Sequence, residues 1–326
     1  MGTARSPFRF TDANSSGGSA PVPAIAVLVP CHNEAQTVAG VIAAFKQALP
    51  TASVYVYDNR STDGTAAVAA AAGAIVRKEP RPGKGNVVRR MFGDVEADVY
   101  ILVDGDGTYD ASVAPEMVKL LATSMLDMVV ANRQGVYANA HRAGHGFGNR
   151  VFNAFYGAVF GPEFRDIFSG YRAFSRRFVK SFPAVSHGFE IETEMSVHAS
   201  QLRLPVAEIE APYGERPEGS VSKLNTFRDA VRILRMMLIL YKEVRPARFF
   251  GYIAAALFGI AVLLGIPLIE TFLQTGLVPR FPTAILATGL AVLSAISLTC
   301  GLILDSVARG QLEQKRFAYL AQTDGR

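Results

Sequence analysis

The chain has 326 residues, half of them hydrophobic, with 33 basic against 28 acidic side chains and a net charge of +5. That length leaves room for two domains, and the positive excess suits anionic lipid and phosphates. Nucleic acid is not an expected partner, because no basic patch with interleaved aromatics is present. The two cysteines, Cys31 after an apolar run and Cys300 inside another, exclude a disulfide framework and fit a reducing compartment.

Residues 1–23 are polar, rich in Ser, Gly and Pro, and read as a disordered arm without a secretory signal. A domain of alternating strands and helices is expected over 24–224. Ala24–Val29 reads as a buried parallel strand that ends in Pro30-Cys31-His32-Asn33-Glu34, and Ala35–Leu49 has helical spacing. Ser53–Tyr57 predicts a second strand, ending in Asp58 and Asn59, before an alanine-rich helix and a short strand at Ala74–Val76. The loop Arg81-Pro82-Gly83-Lys84-Gly85 opens a helix around Asn86–Val95. Then come a strand at Val99–Val103, a helix near Ser112–Ser124 and a strand at Met128–Ala131. Residues 132–150 carry Arg133, His141, Arg142, His145 and Arg150 among glycines, as a cationic loop would. A helix near Val151–Val159, another opening at Gly188–Glu194, and a strand at Val206–Ile209 complete the domain. This alternation predicts an α/β fold with a mostly parallel sheet and right-handed crossovers, its polar residues at the carboxyl ends of the strands.

The stretch Val99–Asp110, VYILVDGDGTYD, concentrates that chemistry. Side chains alternate along a strand, so Asp104 and Asp106 at i and i+2 point the same way. Two oxygen ligands without Cys or His suit a hard cation such as Mg²⁺ or Mn²⁺ carrying a substrate's phosphates. A polar strand-to-loop turn is the alternative, since Asp and Gly are ordinary turn residues.

A juxtamembrane helix is expected over 225–248, with Phe227, Ala230, Val231, Leu234, Leu238 and Tyr241 on one apolar stripe. Arg228, Arg232 and Arg235 lie on another face, as in an interfacial helix; packing on the domain is the other reading. The uncharged runs 249–269 and 283–304 are each long enough, at about 1.5 Å per residue, to cross a bilayer as a hairpin. Cations flank the pair (Arg245 and Arg248 before it, Arg309, Lys315 and Arg316 after it), whereas the intervening loop carries only Arg280. The positive-inside rule then predicts a multi-pass protein of the cell membrane, with the large domain and both termini cytoplasmic and a tail over 305–326. Small residues such as Gly259, Gly265, Gly289 and Ala295 would let a homo-oligomer pack through these helices.

Seven segments in order, VLVPCHNE, DNRSTDGT, GKGNVVRR, VDGDGTYD, SGYRAFSR, GFEIETE and YGERPEGSVSKLNTFRD, resemble the family-2 glycosyltransferases of GT-A fold. Within them the chain is most similar to dolichyl-phosphate-mannose-synthase-like polyprenyl-phosphate glycosyltransferases, over about Ile25–Leu240. The resemblance implies transfer of a sugar from a nucleotide diphosphate sugar to a polyprenyl phosphate at the cytoplasmic face. Base preference does not carry over from the family, and a UDP-sugar is only slightly favoured over GDP-mannose. By position, Pro30, Asn33 and Glu34 match the first nucleotide-binding loop, Asp58 the acidic residue at base or ribose, and Lys84 a basic loop near the nucleotide. Asp104 and Asp106 match the metal-binding pair. Arg133 matches an arginine facing the acceptor phosphate, with Arg142 or Arg150 as its partner, and Arg216, Ser222 and Lys223 match a loop closing on the phosphates. Two positions depart from the pattern: Asn59 stands where a second aspartate is frequent, and Thr108 where some relatives carry a third metal ligand.

A metal at Asp104 and Asp106 would offset charge on the departing diphosphate, with fixed cations adding to it. The acceptor phosphate, with a second pKa near ~6, is already nucleophilic, so no dedicated base is expected and the anomeric centre inverts. Glu190, Glu192 and Glu194 admit two readings, bonds to sugar hydroxyls or simple favouring of a helix dipole. A polysaccharide synthase is disfavoured by the lack of tryptophan, and a dinucleotide-binding fold by the lack of GxGxxG. The alternatives are a catalytically inactive, membrane-anchored nucleotide-binding protein, from another class, and a family-2 transferase acting on another membrane acceptor.

Overall fold

The structure, a computed structural model, describes residues 23–134, 156–157, 164–186, 188, 190–214, 235 and 238–322. The chain divides into two compact units, Met1–Thr226 with Lys315–Arg326, and Phe227–Gln314.

The first unit is built on seven strands: β1 (Ile25–Cys31), β2 (Ser53–Asp58), β3 (Ile75–Lys78), β4 (Val99–Leu102), β5 (Met128–Gln134), β6 (Arg172–Ser175) and β7 (Val206–Pro212). Their order is β3-β2-β1-β4-β6-β5-β7. The sheet is mostly parallel, as expected; β6 runs antiparallel to both β4 and β5. β1 and β4 are buried at every position, as strands covered on both faces must be. Sequence reading does not find β6: it has four residues, all buried, so no period-2 alternation marks it.

Among the described residues six named helices pack around the sheet: α1 (Val38–Ala48), α2 (Thr65–Ala71), α3 (Lys84–Asp94), α4 (Ala114–Thr123), α5 (Arg176–Ser181) and α6 (Ile191–Leu202). α1 buries Val38, Val41, Ile42 and Phe45 against the sheet, each large side chain contributing about 1.5–3 kcal/mol. It starts three residues later than its spacing predicts. The Glu34 carbonyl accepts from the amides of Thr37 and Val38, and the Thr37 hydroxyl donates to the Gly105 carbonyl at 2.6 Å. The first turn is thereby given to the loop that faces β4.

Two buried charges fix the far parts of the unit. Arg172 is wholly enclosed and donates to the carbonyls of Ser169 (2.8 Å) and Ile167 (2.7 Å) and to the Ser196 hydroxyl (2.8 Å). Asp127, also wholly enclosed, accepts from Ser175 Oγ at 2.7 Å, Arg177 Nη2 at 3.0 Å and Tyr319 Oη at 2.8 Å. The Arg177 guanidinium lies 5.0 Å from the centre of the Tyr319 ring, and Lys315 donates to Gln201 at 3.2 Å. The last turns of the chain are thus part of the sheet-bearing unit.

The second unit holds α7 (Pro246–Thr275) and most of α8 (Phe281–Ala321), two helices long and apolar enough to cross a membrane. Large apolar side chains such as Leu263 and Leu273 stand more than two-thirds exposed, which suits a membrane environment. Where the helices meet, Ser294 and Ser297 donate to the carbonyls of Ala254 (2.8 Å) and Phe250 (3.1 Å). A Cβ on Gly301 would meet Phe250 at 2.9 Å, whereas Gly259, Gly265 and Gly289 face open space. Of the juxtamembrane helix expected over 225–248, residues 225–234 and 236–237 lie outside the described residues, and 235 and 238–244 are helical.

Candidate active site

The register sets the site. Cys31 pairs with Asp58 across β1 and β2, and Leu28 with Leu102 across β1 and β4. The segments after these strands therefore meet along one edge. Pro30 is the last-but-one residue of β1 and is buried. Asn33 follows with φ +57°, and the loops after β1 and β2 are laced together. Asn33 accepts from the Thr62 amide at 2.9 Å, the Asn33 amide donates to Ser61 Oγ at 2.9 Å, and the Glu34 amide donates to Thr65 Oγ1 at 2.9 Å. Asp58 is buried and accepts from the Ser61 amide at 3.2 Å.

Asn59 does not face outward beside Asp58. Its amide donates to the carbonyls of Glu79 (2.9 Å) and Arg81 (2.7 Å), and its oxygen accepts from the Gly83 amide (2.8 Å). The side chain is a clip on the loop that ends at Lys84, a job that needs two donors and an acceptor and that an ionised aspartate cannot do.

Lys84 opens α3, and its side chain is 8 % exposed. Its ammonium lies between two carboxylates, bonded to Asp104 Oδ1 and 2.5 Å from Glu192 Oε1. Burial works against that charge, but Asp104 and Glu192 outweigh it and raise the lysine pKa above its ordinary value. Asp106 accepts from the amide (3.2 Å) and hydroxyl (2.7 Å) of Thr108, so Thr108, buried, orients the aspartate. Gly107 takes φ +75°, which closes the turn without strain only for glycine.

Glu34 lies against this turn. A Cβ on Gly105 would collide with Glu34 Oε2 and come within 2.6 Å of Cys31 Sγ. Burial first, then the nearby Asp104 charge, push the Glu34 carboxyl up to about 8, so it is protonated at neutral pH. Burial and Glu34 likewise push the Cys31 thiol up, which leaves it an inert core group.

On the far side of β4, Arg133 donates through Nε and Nη2 to Asp166, at 2.7 and 2.9 Å. Its guanidinium is 5.5 Å from the Tyr213 ring centre, and Tyr213 packs edge-on against Tyr109. Burial opposes the Arg133 charge, but Asp166 overcomes it and raises the pKa. Tyr109 accepts from the Gly170 amide at 2.9 Å and leans on Tyr171, which is wholly enclosed beneath the site. Asp166 is a residue sequence reasoning misses, because nothing in the chain order marks it as the partner of Arg133. Glu190, Glu192 and Glu194 separate by role. Glu194 accepts from the amides of Val185 and Ser186, both at 2.8 Å, Glu192 pairs with Lys84, and Glu190 precedes α6, half-buried. Arg142, Arg150, Arg216, Ser222 and Lys223, with His141 and His145, lie outside the described residues.

The donor set at the end of β4 is oxygen only, which fits a hard divalent cation and not zinc. Space is reserved there too: a Cβ on Gly170 would sit 2.7 Å from Asp104 Oδ2. Among the described residues no cluster of three or more His, Cys, Asp or Glu forms a metal cage, so water and substrate phosphates would complete the shell.

Comparison with known proteins agrees with this geometry. Residues 26–182 match the model for glycosyl transferase family 2. The glycosyltransferase AglJ of Haloferax volcanii is 36% identical over 239 residues, covering 72% of this chain and 77% of AglJ. Protein RfbJ of Shigella flexneri is 59% identical over 122 residues, 37% of this chain and 95% of RfbJ. Among solved structures, glucosyl-3-phosphoglycerate synthase from Mycobacterium tuberculosis, in complex with Mn²⁺ and UDP-glucose, superimposes with a TM-score of 0.55 at 21% identity, covering 68% of this chain and 78% of that one. The fold is therefore of GT-A type, and the chain belongs to glycosyl transferase family 2.

Proposed function

We propose that this glycosyltransferase moves a sugar from a nucleotide diphosphate sugar to the phosphate of a polyprenyl lipid at the cytoplasmic face of the cell membrane. One conjunction supports the reading: the same chain carries a family-2 site and two helices long and apolar enough to cross a bilayer. A lipid acceptor gives those helices a purpose that a water-soluble acceptor would not. A UDP-sugar is the preferred donor, in keeping with the UDP-glucose complex of the mycobacterial synthase.

Asp104 and Asp106 would hold Mg²⁺ or Mn²⁺, which supplies electrostatic stabilisation of the leaving diphosphate. Pro30, Asn33, Glu34 and Asp58 form the wall on which base and ribose bind, and Glu190 bonds the sugar. Lys84 adds a fixed positive charge in a site where low exposure strengthens it. Thr108 holds Asp106 in its working rotamer. Arg133, its Nε edge occupied by Asp166, presents its Nη1 side to the acceptor phosphate. Arg142, Arg150, Arg216, Ser222 and Lys223 add to that anion site. The acceptor dianion attacks without a general base, inverting the anomeric carbon.

The test is transfer itself. The purified full chain is incubated with Mn²⁺, polyprenyl phosphate in detergent, and radiolabelled UDP- and GDP-sugars, and label is followed into the organic phase. A chelator-sensitive lipid product is expected. Label passing only to a water-soluble phosphorylated acceptor such as 3-phosphoglycerate would overturn the lipid assignment. No product from any donor, despite nucleotide binding, would favour a non-catalytic anchor.

A further inference from the structure

We infer that Lys84 is a resident counter-cation, occupying the Asp104 carboxylate until a divalent metal displaces it, and that Glu192 is the positioning residue that retains it afterwards. The inference rests on the assignment of Asp104 and Asp106 as the metal pair.

Three observations carry it. First, the ammonium bonds Asp104 Oδ1, on the carboxylate that the metal needs, so a divalent cation arriving there meets a like charge beside its ligand and is repelled until that ammonium withdraws. Second, Lys84 has somewhere to go. Glu192 is buried and shares Lys84 through Oε1, while its Oε2 is buried without a hydrogen-bond partner among the described residues. Such an orphaned carboxylate oxygen is costly while it stays unmet, and an ammonium released by Asp104 has the N–H to meet it. Third, the backbone keeps the two in register. The Gly85 amide donates to the Gly188 carbonyl at 3.1 Å, tying the start of α3 to the segment before α6. Gly170 leaves the corridor open, since a Cβ there would lie 3.1 Å from Lys84 Nζ and 2.7 Å from Asp104 Oδ2.

Charge balance follows. Before loading, one ammonium faces the carboxylates of Asp104 and Glu192. After loading, the metal faces Asp104 and Asp106, and Lys84 keeps Glu192 while its remaining donors meet the diphosphate. Metal and nucleotide therefore reinforce each other, because the diphosphate takes up the lysine that otherwise competes with the metal, and linkage makes the effect reciprocal. Displacing the ammonium penalises metal bound alone.

Mn²⁺ affinity, read by electron paramagnetic resonance of free Mn²⁺ with and without UDP, tests this without turnover. Lys84→Met should bind Mn²⁺ alone about tenfold tighter than wild type, the equivalent of about 1.4 kcal/mol, and lose the enhancement by UDP. Glu192→Gln should bind Mn²⁺ alone more weakly, because the lysine then falls wholly to Asp104. A merely structural role would weaken binding in both variants. The double variant Lys84→Met/Glu192→Gln removes both charges together, guards against misfolding of the single one, and should match Lys84→Met. Unchanged or weaker Mn²⁺ binding in Lys84→Met and in the double variant would overturn the inference. Wild-type protein that binds no Mn²⁺, or Asp106→Asn that binds it normally, would instead overturn the metal assignment.

Discussion

Asn59→Asp tests how the site is assembled. The substitution is nearly isosteric, yet it removes two donors that face the carbonyls of Glu79 and Arg81. Each lost bond is worth about 1 kcal/mol, and setting a carboxylate against two carbonyls in a position 7 % exposed costs about 1–3 kcal/mol more. The total is about 3–5 kcal/mol. The penalty depends on pH. A carboxyl turned toward carbonyl oxygens keeps its proton in the folded state and has a raised folded pKa, so the folded form binds more protons than the unfolded one. Stability is then lost as pH rises above the unfolded value of about 3.9, and the variant suffers more at pH 7.5 than near pH 4.5. Thermal unfolding at the two pH values measures this, and UDP affinity reports whether the loop still delivers Lys84. If Asn59→Asp melts with the wild type at pH 7.5 and keeps its UDP affinity, the clip is not what shapes this loop.

Four further outcomes are expected. Asp106→Asn should abolish transfer while leaving the melting temperature near wild type, and Thr108→Val, which removes the 2.7 Å bond to Asp106, should lower kcat about tenfold; unchanged kcat in either sinks the assignment. In metal-free protein, Glu34→Gln should flatten the dependence of stability on pH between about 5 and 8. Glu34, held up to about 8 in the fold, contributes stability that is full below its unfolded pKa and is lost with rising pH at up to about 1.4 kcal/mol per unit. An equally steep slope in the variant would refute this. Arg133→Ala should raise KM for the acceptor far more than KM for the donor, and equal effects would remove it from the acceptor side.

Much of the catalytic unit is legible in the residue order. β1 and β4 are runs of apolar residues that stop at polar ones, and the Asp-Gly-Asp after β4 advertises its own chemistry because strand period and glycine are local properties. β6 is not legible, because four buried residues carry no period, and its antiparallel direction is set by neighbours distant in sequence. The same holds for pairings. Lys84 with Glu192 and Arg133 with Asp166 join residues 108 and 33 positions apart, and a charge carries no mark of its partner. Asn59 illustrates a subtler loss: its position suggests a nucleotide contact, whereas its full set of hydrogen bonds turns inward. Local pattern reveals what a segment is, but not what it holds.

The bond from Tyr319 to Asp127 makes the catalytic unit discontinuous in the gene. A soluble version made by stopping the chain after Thr226 would remove a donor from a wholly enclosed aspartate and strip the ring from beneath Arg177. Retaining the unit intact requires that Lys315–Gln322 be rejoined through a linker when Phe227–Gln314 is excised. Tags and fusions carry a related consequence, since the last described turn, which ends at Gln322, is held to the enzyme by Tyr319 against Asp127 and Arg177.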